Sequence, residues 1–155
     1  MILLCLIAGG CRKSEIFTIE RTAFLGSIWN ESMAGAKIVS HDGGSSIPFP
    51  GGALWTYGDT FYGNRSAPGG PKIAGAVSAS IALLNNPDRP FPPQLTYRAD
   101  RNGRVESPFE FFPDESKEKN RIWPSGGIHL EGRFYLYYSL IEAGQGEWDF
   151  KSAGY

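Results

Sequence analysis

HDGGSSIPFPGGALWTYGDTFYG, residues 41–63, is the stretch that decides the fold. Ser45 to Phe49 alternates toward the turn cluster Pro50-Gly51-Gly52, and Ala53 to Thr60 returns through aromatic residues. Alternation bounded by proline and glycine is the pattern of a β-hairpin. On a strictly alternating strand Ala53, Trp55, Tyr57 and Asp59 share one face. With the turn centred near Gly51, Asp42 enters the ribbon where Asp59 leaves it. Two carboxylates therefore share the hairpin's open end, where opposed side chains lie roughly 5 Å apart and diagonal ones about 7–8 Å.

Outward from this hairpin the chain keeps the same character. Twenty glycines, 11 prolines and 14% aromatic residues in 155 positions favour short strands and turns over helices, so the expected class is all-β. Lys37–Ser40, Ile73–Leu84 and Leu95–Arg98 read as strands, separated by the loops NRSAPGGPK and NNPDRPFPPQ. RNG reads as a turn, and the charge run DESKEK as a solvated surface. A second hairpin, PSGGIHLEGRFYLYYSL, turns at Glu131-Gly132. Both hairpins open on Gly-Gly, run a short strand, turn on glycine and return through aromatics. Two hairpin strands and the two strands between make four per period, the composition of a β-propeller blade. A β-sandwich also carries such hairpins. On the propeller reading, residues 36–155 hold the first one to two blades of a catalytic domain, because a ring needs about four to eight blades to close. DFKSAGY ends the chain with no closing strand on this reading.

The N-terminal run MILLCLIAGGC (residues 1–11) has the form of a lipoprotein-type signal, with small residues before Cys11 as the lipidated position. The alternative is a buried strand with two structural cysteines. Residues 12–35 then form a tether and first strand. The expectation is an exported protein that meets the membrane only through a lipid anchor. Fifteen basic against 16 acidic residues, without a Lys/Arg cluster, give no electrostatic basis for binding nucleic acid.

Paired carboxylates at one hairpin mouth raise each other's pKa, so that one can hold a proton near neutrality. Glycoside hydrolysis needs that division: one acid protonates the leaving oxygen while the other attacks the sugar or activates water. Asp42 and Asp59 are the catalytic candidates, with their roles interchangeable on sequence alone. His41, Trp55, Tyr57, Phe61 and Trp123 are the candidates for holding a polysaccharide, the rings as stacking surfaces and His41 as a neighbour of Asp42. Asp followed by Gly-Gly is also ordinary turn chemistry, and Gly-Asp-Thr an ordinary strand-end cap. Glu106 and Glu110 are candidate third carboxylates, and His129 reads as a packed residue. Neither Cys/His metal spacing nor a phosphate loop nor a serine nucleophile elbow occurs, and no dense Asp/Asn loop supports calcium; no cofactor is expected. The rival reading is a non-catalytic cell-surface propeller that binds sugar or serves as a scaffold.

DGGSSIPFPGGALWTYGDTFYG, followed by IWPSGGIHLEGRFYLYYSLIE, resembles a bacterial family of five-bladed β-propellers marked by a Gly-Asp-Thr motif after an aromatic strand. Some members of that family are glycoside hydrolases that cut D-arabinan internally. The resemblance runs from about Phe24 to the end. It implies an axial pocket with carboxylates supplied from the starts of several blades, Asp42 and Asp59 being the positions that carry over.

Overall fold

The structure, a computed structural model, describes residues 33, 35–85, 93–143 and 148–154. The signal-like run with Cys11, and nearly all of the tether, lie outside the described residues. Among the described residues the regular elements are ten strands: β1 (Ile38–His41), β2 (Ser45–Phe49), β3 (Gly52–Tyr57), β4 (Thr60–Asn64), β5 (Lys72–Val77), β6 (Ser80–Asn85), β7 (Leu95–Tyr97), β8 (Asn120–Leu130), β9 (Arg133–Ala143) and β10 (Trp148–Gly154). They form three small antiparallel sheets, ordered β2-β3-β6-β7, β1-β4-β5 and β10-β9-β8. The expected all-β class is what the chain adopts.

Local chemistry sets both hairpins. Between β2 and β3 the loop is Pro50-Gly51, and Gly51 has φ +90°. Proline followed by a positive-φ glycine is the type II pattern. Between β8 and β9 the loop is Glu131-Gly132, with φ +51° and +76°. Two positive values in succession are the type I′ pattern, whose twist matches that of the flanking strands. Pro48 and Pro124 both fall on β2 and β8, strands at the edge of their sheets, where a missing N–H costs no ladder bond.

The four strands that the repeat pattern groups together do form one sheet in that spatial order. Ile73–Leu84, expected as one strand, is split into β5 and β6 by Ser78-Ala79. The split carries β4 and β5 off into the second sheet while keeping register. Tyr57 pairs with Ser80 and Thr60 with Val77 on one unchanged offset. Likewise Ser45 pairs with Thr56 and His41 with Thr60. The first two sheets are thus one long bent ladder interrupted at 42–44, 58–59 and 78–79. At the C-terminal end the structure corrects the sequence reading: β10 pairs along β9 from Trp148↔Ala143 to Gly154↔Tyr138.

Alternation assigns the two faces of the first sheet. Trp55, Tyr57, Ala82, Leu84, Leu95 and Tyr97 cluster on one side. Ile47 and Leu54, paired across the ladder, face the other, which meets β8. There a Cβ on Gly127 would strike the Tyr135 carbonyl oxygen and stand 2.8 Å from Ile47 Cδ1. Phe49 meets His129 and Phe134 beside it, ring centroids 5.9 and 5.5 Å away, so His129 is packed as its sequence context suggests. A second core, Met33, Ala36, Ile38 and Val105, closes the far end of the ladder.

Candidate functional site

Where the ladder is interrupted, Asp42 falls directly opposite Asp59. The Asp42 amide donates to the Asp59 carbonyl at 2.8 Å, and the Gly58 amide donates to the Asp42 carbonyl at 2.9 Å. Two residues of one strand thus face one of the other, a bulge-like irregularity that adds no net residue, since the register is the same on both sides, and that re-aims side chains. Gly58 suits the position: a Cβ there would lie 3.1 Å from the Asp42 carbonyl oxygen and 3.7 Å from Trp123 Cδ1. Beyond the bulge, Thr60 is fully buried, its hydroxyl 2.8 Å from Ser80 Oγ and donating to the Gly58 carbonyl at 3.0 Å. This anchors the re-entry of the strand.

The bulge also changes which way Asp59 points. Strict alternation puts it beside Tyr57, but its carboxylate instead meets β8. Trp123 Nε1 donates to Asp59 Oδ1 at 3.2 Å, and Arg121 Nε lies 3.8 Å from the same oxygen. Arg121 is itself held, its Nη1 donating to the carbonyls of Lys117 (2.6 Å) and Asn120 (2.9 Å). Asp59 is half-buried and Asp42 exposed. Burial raises the Asp59 pKa above the ordinary carboxylate value, the Trp123 hydrogen bond and the Arg121 charge pull it back, and the Asp42 charge adds to the rise. The two carboxylates are therefore inequivalent: one partly desolvated and tethered, one open to water.

The other sequence candidates divide in two. Trp123 joins the carboxylates. His41, Trp55 and Tyr57 stand on the opposite face, in a stack that includes Tyr97. His41 lies flat on Tyr57, centroids 3.9 Å apart and 7° from parallel, and its Nε2 is 3.3 Å from Tyr97 Oη. Trp55 and Tyr97 flank the Tyr57 ring at 6.3 and 6.2 Å. Burial lowers the His41 pKa from 6.5 to about 4, and burial together with Tyr57 raises that of Tyr97. Among the described residues, Trp55 Nε1 and Tyr57 Oη are buried donors without a hydrogen-bond partner, although Tyr97 is near enough to Tyr57 to influence its titration. Phe61 lies on β4, across from Ser40 and Ala76, and joins neither group.

Glu106 pairs with Arg98 at 3.6 Å on the surface, away from Asp59. Glu110 lines a cleft of about 600 Å³ beside Arg121, walled by Phe109 and Phe111. Arg121 is the site residue that the sequence reading missed. Its signal was its place two positions before Trp123, hence on the same face of β8. Among the described residues no group of three His, Cys, Asp or Glu side chains is placed to hold a metal ion. No protein-family model matches the chain, and no curated protein matches it.

Proposed function

We propose that the chain is part of a β-propeller glycoside hydrolase that acts on a furanoside-containing, arabinan-like polysaccharide, with Asp59 as the acid and Asp42 as the base or nucleophile. The supporting observation is the unequal pair at the bulge: opposed carboxylates, one half-buried with a raised pKa and one exposed. Pairs whose surroundings push their pKa values apart mark acid and base roles. On this reading the partner is a polysaccharide, and the sequence pattern of residues 1–11 makes the protein exported and anchored through Cys11.

Support for the propeller comes from the packing. The first strands of two successive meanders, β2 and β8, lie against each other, as inner strands of adjacent blades do. The outer face of β8–β9 presents Ile128, Leu130, Tyr135 and Tyr137, each 40–53% exposed, where a further blade would pack.

Hydrolysis of arabinan and arabinogalactan by the protein, compared with its Asp42→Asn and Asp59→Asn variants, tests the assignment. Each variant is expected to lose about 10²–10⁴-fold in rate while keeping its circular dichroism spectrum. Binding without cleavage on every substrate, unchanged by either substitution, would overturn it. The tether from Asp59 to β8 favours a second reading, a sugar-binding or scaffold propeller in which Asp59 clasps two sheets. That reading expects Asp59→Asn to loosen the fold and leave sugar binding in place.

A further inference from the structure

Asp59 has two carboxylate oxygens, and both side-chain groups from β8 meet it at Oδ1: Trp123 Nε1 donates to it at 3.2 Å, and the Arg121 guanidinium forms an ion pair with it at 3.8 Å. An indole N–H and a guanidinium can only donate. A proton on Oδ1 would compete with the indole N–H for that oxygen, which makes Oδ2 the favoured seat for it. The indole is itself fixed, sitting over the gap left by the missing side chain of Gly58. The guanidinium is tied to two backbone carbonyls.

We propose that Trp123, assisted by Arg121, is a positioning residue that makes Oδ2 the proton-carrying oxygen of Asp59. This gives Trp123 a different task from stacking on a sugar ring, and it rests on the acid assignment for Asp59. In the catalytic step the Oδ2–H bond breaks as the glycosidic oxygen takes the proton. The C–O bond to the leaving group breaks as Asp42, or a water that Asp42 deprotonates, bonds to the sugar carbon, and the carboxylate left on Asp59 is stabilised by the indole N–H and the Arg121 charge at Oδ1. A donor to the ionised form favours that form, so the same contact eases proton release. Among the described residues, the charged and titratable groups that face Asp59 are Asp42 across the ladder and Arg121 on β8.

The first test needs no catalysis and no substitution in Trp123. In ¹H–¹⁵N spectra of the wild-type protein, the Trp123 indole N–H resonance is expected to move with pH at the midpoint given by the Asp59 carboxyl ¹³C signal. In Asp59→Asn that movement is expected to vanish. An indole signal that stays still while Asp59 titrates would overturn the proposal. Trp123→Phe is then expected to shift the Asp59 midpoint upward, because a donor to the carboxylate is gone, whereas Trp55→Phe on the opposite face leaves it in place. An unmoved midpoint in a folded Trp123→Phe protein would likewise overturn it.

In hydrolysis, Trp123→Phe is expected to lower kcat about tenfold at unchanged KM, part of the ~10²–10⁴ that a positioned acid supplies. It should also carry the high-pH limb of the rate profile upward. A rise in KM alone would return Trp123 to sugar binding. Coupled titration without hydrolysis of any substrate would keep the positioning role and overturn the enzyme reading, so the two failures are distinct.

Discussion

The two faces of the β2-β3-β6-β7 sheet, a few ångströms apart, treat their ionisable groups in opposite ways. Away from β8, His41 lies flat on Tyr57 within an aromatic stack, and burial holds it neutral down to about pH 4. Toward β8, Asp59 is raised by burial yet keeps a donor on one oxygen and Asp42 across from it. The first face is closed and spends its polar groups on packing, leaving Tyr57 Oη without a partner among the described residues. The second is half-open and supplies its carboxylate with what either charge state needs. One irregularity separates them: on an unbroken ladder, alternation would send the Asp59 carboxylate into the aromatic stack. A single break in a ladder thus divides structure from chemistry.

The largest test of this division is on the closed face. Tyr57→Ala removes a ring that is 4% exposed and is expected to destabilise the protein by about 3–5 kcal/mol, read by thermal or denaturant unfolding. Tyr57→Phe is expected to be neutral or slightly stabilising, since it deletes a buried hydroxyl that has no partner among the described residues. A large loss in Tyr57→Phe would show that the hydroxyl, not the ring, holds the stack.

Thr60→Val attacks the strand just beyond the bulge. It leaves Ser80 Oγ buried without its 2.8 Å partner and should cost about 1–3 kcal/mol by the same measurement. A cost near zero would mean that the bulge holds itself without this anchor.

The smallest effect concerns pH. His41 has a folded-state pKa depressed from 6.5 to about 4, so its neutral form suits the fold. Its contribution is fully present above the unfolded value and is lost as pH falls through the window from 6.5 toward about 4. Wild-type stability should therefore decline across that window, and His41→Gln should flatten the decline. Equal pH slopes in the two proteins would place the titration elsewhere.

The carboxylate pairing was legible because it needs little information. Centring the turn near Gly51 brings Asp42 and Asp59 to one hairpin end, and the two-residue turn at Pro50-Gly51 moves the register by one position to set them directly opposite. The Glu131-Gly132 turn and the packed His129 follow from equally local chemistry. The orientation of Asp59 was not legible, because a bulge shows in sequence only as a glycine among several others. The same limit hid the division of Ile73–Leu84, where Ser78-Ala79 bends the strand without proline or glycine. It also hid Arg121, whose role depends on how one sheet docks on another. The pairing of β10 with β9 was missed for a similar reason, since WDFKSAG lacks clear alternation and draws its partner from an already formed edge.

The contacts around Asp59 differ in how much chain they enclose. Asp42 is reached by closing one hairpin, whereas Trp123 is 64 positions away along the chain. Closure entropy grows with the loop enclosed, and distant contacts form late. The carboxylate pair can therefore zip together with its own hairpin, while the indole arrives only when the second meander docks. Until then neither oxygen of Asp59 is preferred for the proton. Completion of folding and assignment of that proton are then one event, and the indole resonance of Trp123 would report both.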